Sequence, residues 1–326
     1  VTDKTSLGDR MKTYEEVTRA VLPRRTYTII RVDGRAFHTL LRHADKPFDR
    51  RVADAMEAVA VALCTEASGA VLAYQQSDEV SVLLSDFGDV HSEPWFGGVV
   101  QKVASVSASI ATVAFAAEYS VAGVLGQFDA RVFTIPSAVE VANYFTWRQR
   151  DALRNAISMA AQAHFSHRQL QGVDSGGMQE MLWSQKGVNF NDYPDRHKRG
   201  SVITRVSEPG TAAFTDRRTG GEQVIDVTRH HWRASAAPRF SASGDDLMNA
   251  WLATAIPPLP ALTAVAEVVE FSLVRDALEA LCRQRGLSLD SEAAPGFPAR
   301  NYELADRLGI GEVFGLKPAD PLALPP

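Results

Sequence analysis

Thr26-Tyr27-Thr28-Ile29-Ile30-Arg31-Val32-Asp33-Gly34-Arg35 reads as an apolar strand that stops at an acid–glycine pair. Leu72-Ala73-Tyr74-Gln75-Gln76-Ser77-Asp78-Glu79-Val80-Ser81-Val82-Leu83-Leu84 reads as two short strands joined by an acidic turn over Gln75–Asp78. Between them Asp49 caps a helix from Arg50 to Thr65, with Val52, Met56, Val59 and Leu63 three and four apart and Gly69 beyond its end. Two carboxylates, Asp33 and Asp78, therefore stand at the ends of neighbouring strands.

Outward from this unit, a polar helix over Leu7–Leu22 ends at Pro23, and Ala36–Leu41 gives a turn of helix. The Ala/Val/Ser-rich segment Phe96–Tyr119 is too long for a strand and reads as a buried helix. Phe128–Ile135 is the next strand, and Ser137 with Glu140 opens a helix from Ala138 to His164. The order strand, helix, strand-turn-strand, helix, strand, helix predicts an α+β fold of two layers: a ferredoxin-like antiparallel sheet with helices on one face. Short strands are expected at Gly200–Arg205, Thr211–Asp216 and Glu222–Thr228, with Arg218–Gly221 as a turn and a boundary between Pro238 and Gly244. Residues 245–315 read as a helical extension with a proline-rich end. The domains expected are 1–165, a catalytic core; 166–240, an irregular and β region with a basic surface; and 241–326, mainly helical.

The chain has 326 residues, 45% apolar and 22% charged, with a formal net charge of -5. That balance disfavours nonspecific nucleic-acid binding, yet Lys186–Arg233 holds nine Lys/Arg against six Asp/Glu and could dock a polyanion. Cys64 and Cys282 sit in apolar, helix-like sequence, and the first thirty residues carry no signal-type apolar core. No run reads as long enough to span a membrane, so a reducing, cytoplasmic setting is expected.

Asp33 and Asp78 are the candidate ligands of Mg²⁺, which takes hard oxygen donors, with the Gly34 carbonyl as a further donor. Alternatively, both acid pairs are ordinary turn residues. Glu79, next to Asp78, points to the opposite face on an extended strand and reads as structural. Lys102 could reach a triphosphate or could snorkel at a helix end. Arg148 and Arg154 could bind phosphate, though Arg148 could equally pair with Asp151. Lys186 and the cluster His197-Lys198-Arg199-Gly200 could clamp phosphates or form a solvated loop. His38 and His43 lack a partner pattern, Asp129 reads as structural, and there is no zinc spacing, Walker-type loop or nucleophile elbow.

Arg31-Val32-Asp33-Gly34-Arg35-Ala36-Phe37-His38 and Ala73-Tyr74-Gln75-Gln76-Ser77-Asp78-Glu79 resemble the two hallmark motifs of the tRNA-His guanylyltransferase family and its bacterial-archaeal Thg1-like branch. Three further matches follow in order: Phe128–Phe133, Tyr144–Asp151, and Gly187–Phe190 with His197–Gly200. The resemblance spans roughly residues 10–235. It implies a polymerase-palm core that adds nucleotides 3′-to-5′, through a 5′-adenylylated or 5′-triphosphorylated RNA end. ATP and GTP or another NTP are the implied substrates, with two Mg²⁺ ions at Asp33, Gly34 and Asp78. By the same resemblance Arg31, Arg35, Ala36, Phe37, His38, Ser77 and Lys102 would bind the nucleotide and its triphosphate. Arg148, Arg154, Asn155, Lys186, His197, Lys198 and Arg199 would bind RNA. The implied partners are tRNA or tRNA-like RNA and further copies of the chain in a homotetramer built from dimers, with no membrane. A palm-type cyclase or small-nucleotide synthase, and a non-catalytic RNA-binding protein, are the alternatives. Leu153 and Ala156 replace a histidine and an asparagine of the eukaryotic pattern, and Gly98 and Val99 stand where relatives often have arginines. The first pair of departures argues against tRNA-His anticodon specificity, and the second removes part of the phosphate- or RNA-binding charge.

Overall fold

The computed structural model describes residues 6–88, 91–120, 125–215, 220–240 and 250–260. The chain divides into two units, 1–260 and 261–326, and the second lies wholly outside the described residues. The expected boundaries at 165 and 240 therefore both fall inside the first unit. Of the expected C-terminal helices, only one short segment is described.

A short helix α1 (Ser6–Glu16) precedes β1 (Tyr27–Arg35), α2 (Phe37–Leu40) and α3 (Arg50–Glu66). The hairpin of β2 (Ala70–Gln76) and β3 (Glu79–Leu84) follows, then α4 (Val100–Glu118), β4 (Gln127–Ile135) and α5 (Ala138–Gln162). After them come α6 (His167–Leu170), α7 (Ser175–Lys186), α8 (Asp195–Arg199), β5 (Ser201–Thr215), β6 (Glu222–Ala236) and α9 (Ala250–Ala255). The sheet order is β4-β1-β3-β2-β5-β6, and every pair is antiparallel. The first four strands form the split strand–helix core expected of the α+β class.

The expected helices on one face become helices on both. In β1 and β3 adjacent apolar residues point in opposite directions, and both sides are buried: Ile29 and Ile30, Val82 and Leu83. Ile30, Val32, Ala73, Val80 and Val82 pack with α3 and α4. Tyr27, Ile29, Leu72, Tyr74 and Leu83 pack with α5 and α9. The strands read as continuous apolar runs because each faces a helical layer on either side.

Local boundaries move for identifiable reasons. The first helix stops at Glu16 rather than Leu22, and Val21 instead bridges Val99. The long apolar segment is interrupted at its start, where Phe96, Gly97 and Gly98 all have positive φ, so α4 begins only at Val100. The expected short strands after Gly200 are two strands of 15 residues, because Pro209-Gly210 sits within β5 and not between strands. Only Ser201–Thr204 pair with β2, so the remainder of this hairpin extends from the sheet as a two-stranded arm. The first half of its expected turn, Arg218 and Thr219, lies outside the described residues. By length and composition α4 could cross a membrane, contrary to the expectation that no run would. Its Val103, Ser107, Ala111 and Phe115 are buried in the core, the pattern of a packed helix.

Gly200 has φ +76 and lies against β2, where an added Cβ would stand 2.2 Å from the Gln75 carbonyl oxygen. Only glycine permits that approach, which lets α8 turn directly into β5.

Beyond β6 the chain folds back over α5. Gln149 clamps it twice, its amide oxygen accepting from Phe240 N–H at 2.8 Å and its amide nitrogen donating to the Pro238 carbonyl at 2.7 Å. Phe240 is wholly buried between Tyr74 and Trp251, and the Tyr27 hydroxyl donates to the Pro257 carbonyl. Ala237, Phe240, Leu252 and Ile256 thus complete the second core. Phe240→Ala is expected to lower unfolding free energy in urea by about 3–5 kcal/mol. A loss within about 0.5 kcal/mol, the usual range for a surface change, would remove this segment from the core.

Candidate active site

The β1–β3 register places Asp33 opposite Glu79, and the pairing ends where Gly34 N–H donates to the Asp78 carbonyl at 3.0 Å. Ser77 and Asp78 form the two-residue loop of the β2–β3 hairpin, so Gln75 and Gln76 belong to the strand. Ser77 takes a left-handed φ of 50°, a strained choice for a residue with a side chain, and the Gln75 amide holds its carbonyl at 2.9 Å. Asp33 and Asp78 are thereby brought to one corner of the sheet, both partly open to solvent. Gly34 is required there: an added Cβ would lie 2.5 Å from the buried Phe37 ring.

Burial pushes the Asp78 carboxyl up from its ordinary range, its own backbone N–H and the Ser77 hydroxyl oppose this, and the negative Asp33 and Glu79 reinforce it. A carboxylate so placed gains from a cation. Two carboxylates and a backbone carbonyl are the hard oxygen donors Mg²⁺ takes, with solvent access left for water and phosphate, so the residues fit that ion. Among the described residues no group of three or more His, Cys, Asp or Glu side chains is placed to hold a metal.

Glu79 lies on the Asp33 face of the sheet, as cross-strand partners do, and it is buried. Arg148 of α5 grips both its oxygens, Nε to Oε1 and Nη2 to Oε2, each at 2.7 Å. Nη1 of the same guanidinium reaches Asp151 at 3.2 Å, and its carbon lies 4.5 Å from the Trp147 ring centroid. Arg148, expected as a phosphate ligand, is thus committed to the fold, and the i,i+3 partner read from the sequence is one of two. Arg31 approaches Glu79 at 3.9 Å, with a buried Nε that has no hydrogen-bond partner.

Beside the hairpin loop a cavity of about 100 Å³ opens between the α3 N-terminus and α5. Leu41, Phe48, Val52 and Met159 give it apolar walls, while Asp45, Lys46, Gln76, Ser77 and Asn155 supply polar points. Asp49 at its floor is held ionised, its pKa lowered to about 2, chiefly by the Arg51 side chain. Sequence reasoning read residues 43–47 only as a loop and missed this wall. The turn residues around Pro47 were the available signal.

The other expected residues scatter. Arg35, Ala36 and His38 are exposed, Arg35 bonding Gln127, whereas Phe37 is a core side chain packed on Phe115 and Phe128. Lys102 is exposed at the wrong end of the sheet for this site. Neighbouring Val103 lines a small cavity with Thr28 and Leu84, while Phe115, three turns further along α4, packs beside Gly34 against Phe37. At 1.5 Å per residue that separates Lys102 from the acid corner by roughly 20 Å. His197 stacks on Phe48 with centroids 5.1 Å apart, and burial, helped by Arg196 and opposed by Asp54, lowers its pKa, so it is neutral at pH 7. Lys198 is buried, donating to the Asn191 carbonyl at 2.5 Å and pairing with Asp195. Arg199 also pairs with Asp195, Arg154 bonds Asp151, and Lys186 lies over the Phe165 ring. The basic cluster therefore stands mainly as a set of structural ion pairs, with Asn155 and His197 reaching the cavity.

A family model described as tRNAHis guanylyltransferase matches residues 8–136, and one described as Thg1 C terminal domain matches 139–236. The tRNA(His) guanylyltransferase of Schizosaccharomyces pombe is 31% identical over 208 residues, 60% of this chain and 78% of that protein. The probable tRNA(His) guanylyltransferase of Dictyostelium discoideum is 27% identical over 238 residues, 65% of this chain and 90% of that one. A solved bacterial tRNA(His) guanylyltransferase (Thg1)-like protein in complex with ATP superposes with a TM-score of 0.62 and 38% identity. It covers 72% of this chain and 94% of that one. A bacterial Thg1-like protein in complex with GTP gives 0.59 and 37%, with the same coverage.

Without divalent cations the folded chain holds the Asp78 proton more tightly than the unfolded chain does. Stability is therefore lost as pH rises from the unfolded carboxyl range through the raised value. Asp78→Asn is expected to raise Tm at pH 7 in EDTA and to leave it unchanged near about pH 3, where the unfolded carboxyl is mostly protonated. A Tm no higher than wild type at pH 7 would contradict the electrostatic account of this corner.

Proposed function

The chain belongs to the tRNA-His guanylyltransferase family, a family of nucleotidyltransferases, and we propose that it is a Mg²⁺-dependent enzyme adding nucleotides 3′-to-5′ at the 5′ end of tRNA or tRNA-like RNA. The observation that carries this reading is the Asp33–Gly34–Asp78 corner opening beside a cavity with apolar walls and polar points. The likeness to a bacterial relative solved with ATP, and to one solved with GTP, supports it.

In this reading the 3′-hydroxyl of an incoming GTP or other NTP attacks the phosphorus of a 5′-adenylylated or 5′-triphosphorylated end. The new P–O bond forms as AMP or pyrophosphate leaves, and the hydroxyl proton passes to solvent. Two Mg²⁺ ions held by Asp33, Asp78 and the Gly34 carbonyl would lower the cost of presenting the 3′-oxygen and offset charge on the phosphates. The apolar walls at Phe48, Val52 and Met159 hold a base, and Asp45, Gln76 and Asn155 offer hydrogen bonds to its edge. Arg31, which lies beside Glu79, adds its positive charge next to the corner. Leu153 and Ala156 supply no polar group where eukaryotic relatives recognise tRNA-His, so the substrate is read as a range of tRNAs with incomplete 5′ ends. A cytoplasmic homotetramer, a dimer of dimers, completes the reading.

The test is incubation of purified protein with Mg²⁺, labelled ATP and GTP, and a panel of 5′-truncated or 5′-monophosphorylated tRNAs, tRNA-His among them. Label transfer to several tRNAs that disappears in Asp78→Ala is the expected result. A labelled cyclic or dinucleotide product formed without RNA would replace this reading with a small-nucleotide synthase, and RNA binding without turnover would leave a scaffold.

A further inference from the structure

The metal corner carries three acidic side chains at adjacent positions, Asp33, Asp78 and Glu79, yet no three such groups are placed to share an ion among the described residues. The reason lies with Glu79. Both its oxygens are occupied by the Arg148 guanidinium at 2.7 Å, in a pair whose side chains are each only 8% exposed. Arg148 is itself held by Asp151 and by the Trp147 ring. A bidentate guanidinium fork of this kind fixes a carboxylate in direction as well as in charge.

We propose that Arg148 is a positioning residue that withholds Glu79 from the metal site, so that Asp33, Asp78 and the Gly34 carbonyl bind divalent ions weakly enough to share them with nucleotide phosphates. Mg²⁺ at such sites is held by one or two carboxylates and keeps its other positions for water and phosphate. A third carboxylate would make a more anionic site that binds a divalent ion tightly, favours Ca²⁺ and leaves fewer positions for substrate. Arg148 opposes this through geometry, because it takes one lone pair of each Glu79 oxygen and fixes the direction in which the carboxylate points. It also balances the charge that Glu79 would otherwise add beside Asp33. This inference rests on the metal site proposed above.

Mn²⁺ titration of the full chain followed by electron paramagnetic resonance, without nucleotide, reads the effect directly. Arg148→Met keeps the apolar stem and frees Glu79; it is expected to tighten Mn²⁺ by about tenfold or more, as a unit charge within a few ångströms of a divalent ion should. With loaded enzyme, the same variant is expected to raise KM for NTP more than it changes kcat. Glu79→Gln removes a negative charge and leaves the Arg148 charge behind, so it is expected to weaken Mn²⁺, and adding Arg148→Met to it should restore about wild-type affinity. Wild-type Mn²⁺ affinity in Arg148→Met, or a tightening by Arg148→Met that is no greater with Glu79 present than in the Glu79→Gln background, would overturn the proposal. Should Arg148→Met not fold, Arg148→Lys, which can hold one oxygen only, is expected to give an intermediate tightening, and no tightening there counts equally against it. If wild type shows no Mn²⁺ binding that Asp78→Ala abolishes, the metal reading itself falls, an outcome distinct from the other two.

Discussion

A single backbone hydrogen bond, Gly34 N–H to the Asp78 carbonyl, closes the β1–β3 pairing at the corner where the chemistry would sit. Its consequences run in both directions along the chain. On one side it requires a residue without a Cβ, since the Phe37 ring occupies that space, and Phe37 ties the turn to Phe115 and Phe128 in the first core. On the other it fixes a two-residue hairpin loop in which Ser77 accepts a left-handed conformation. Strain at Ser77 and crowding at Gly34 are sustained because the central strands are buried on both faces.

The second core explains how a charged pair survives beneath that corner. Burying Glu79 alone would cost several kcal/mol, and only a well-aligned, fully hydrogen-bonded partner offsets it. Arg148 meets that condition because α5 is held from outside by the segment after β6, through Gln149, Phe240 and the Tyr27–Pro257 contact. The family models end at residue 236, so this outer segment is an addition beyond them that supports a helix within them. Its contribution to function, if the site is as proposed, passes through the orientation of one guanidinium.

Much of this was legible in local sequence. The acid-ended strands, the Asp49 and Ser137 caps and the strand–helix order depend on short-range periodicity and capping, and they stand as read. Pairings between distant residues were not legible. Arg148 announced its partner at Asp151 by spacing, but Glu79 is 69 positions away and no local pattern points to it. His197 looked cationic until Phe48, from a loop with no periodicity, stacked on it. Lys102 was misplaced because sequence gives a helix its length and not its direction across a sheet. Gly200–Arg205 and Thr211–Asp216 read as separate strands, yet an antiparallel arm with solvent on both faces carries Pro209, which lacks an N–H, between them.

These placements together redistribute the charge available to a bound nucleotide. Arg148, Arg154, Lys198 and Arg199 are each paired with carboxylates, His197 is neutral, and Lys102 lies at the far end of the sheet. Among the described residues around the cavity that leaves Lys46, Arg196 in its pairs with Asp54 and Glu57, and Arg31 in its pair with Glu79 at the neighbouring corner. A triphosphate brings more negative charge than those side chains offset. In the proposed reading the remainder would fall on divalent ions at the acid corner. Weak, shared metal binding would then be a requirement of the substrate's charge as well as of the chemistry, and the Arg148–Glu79 pair is the feature proposed to meet it.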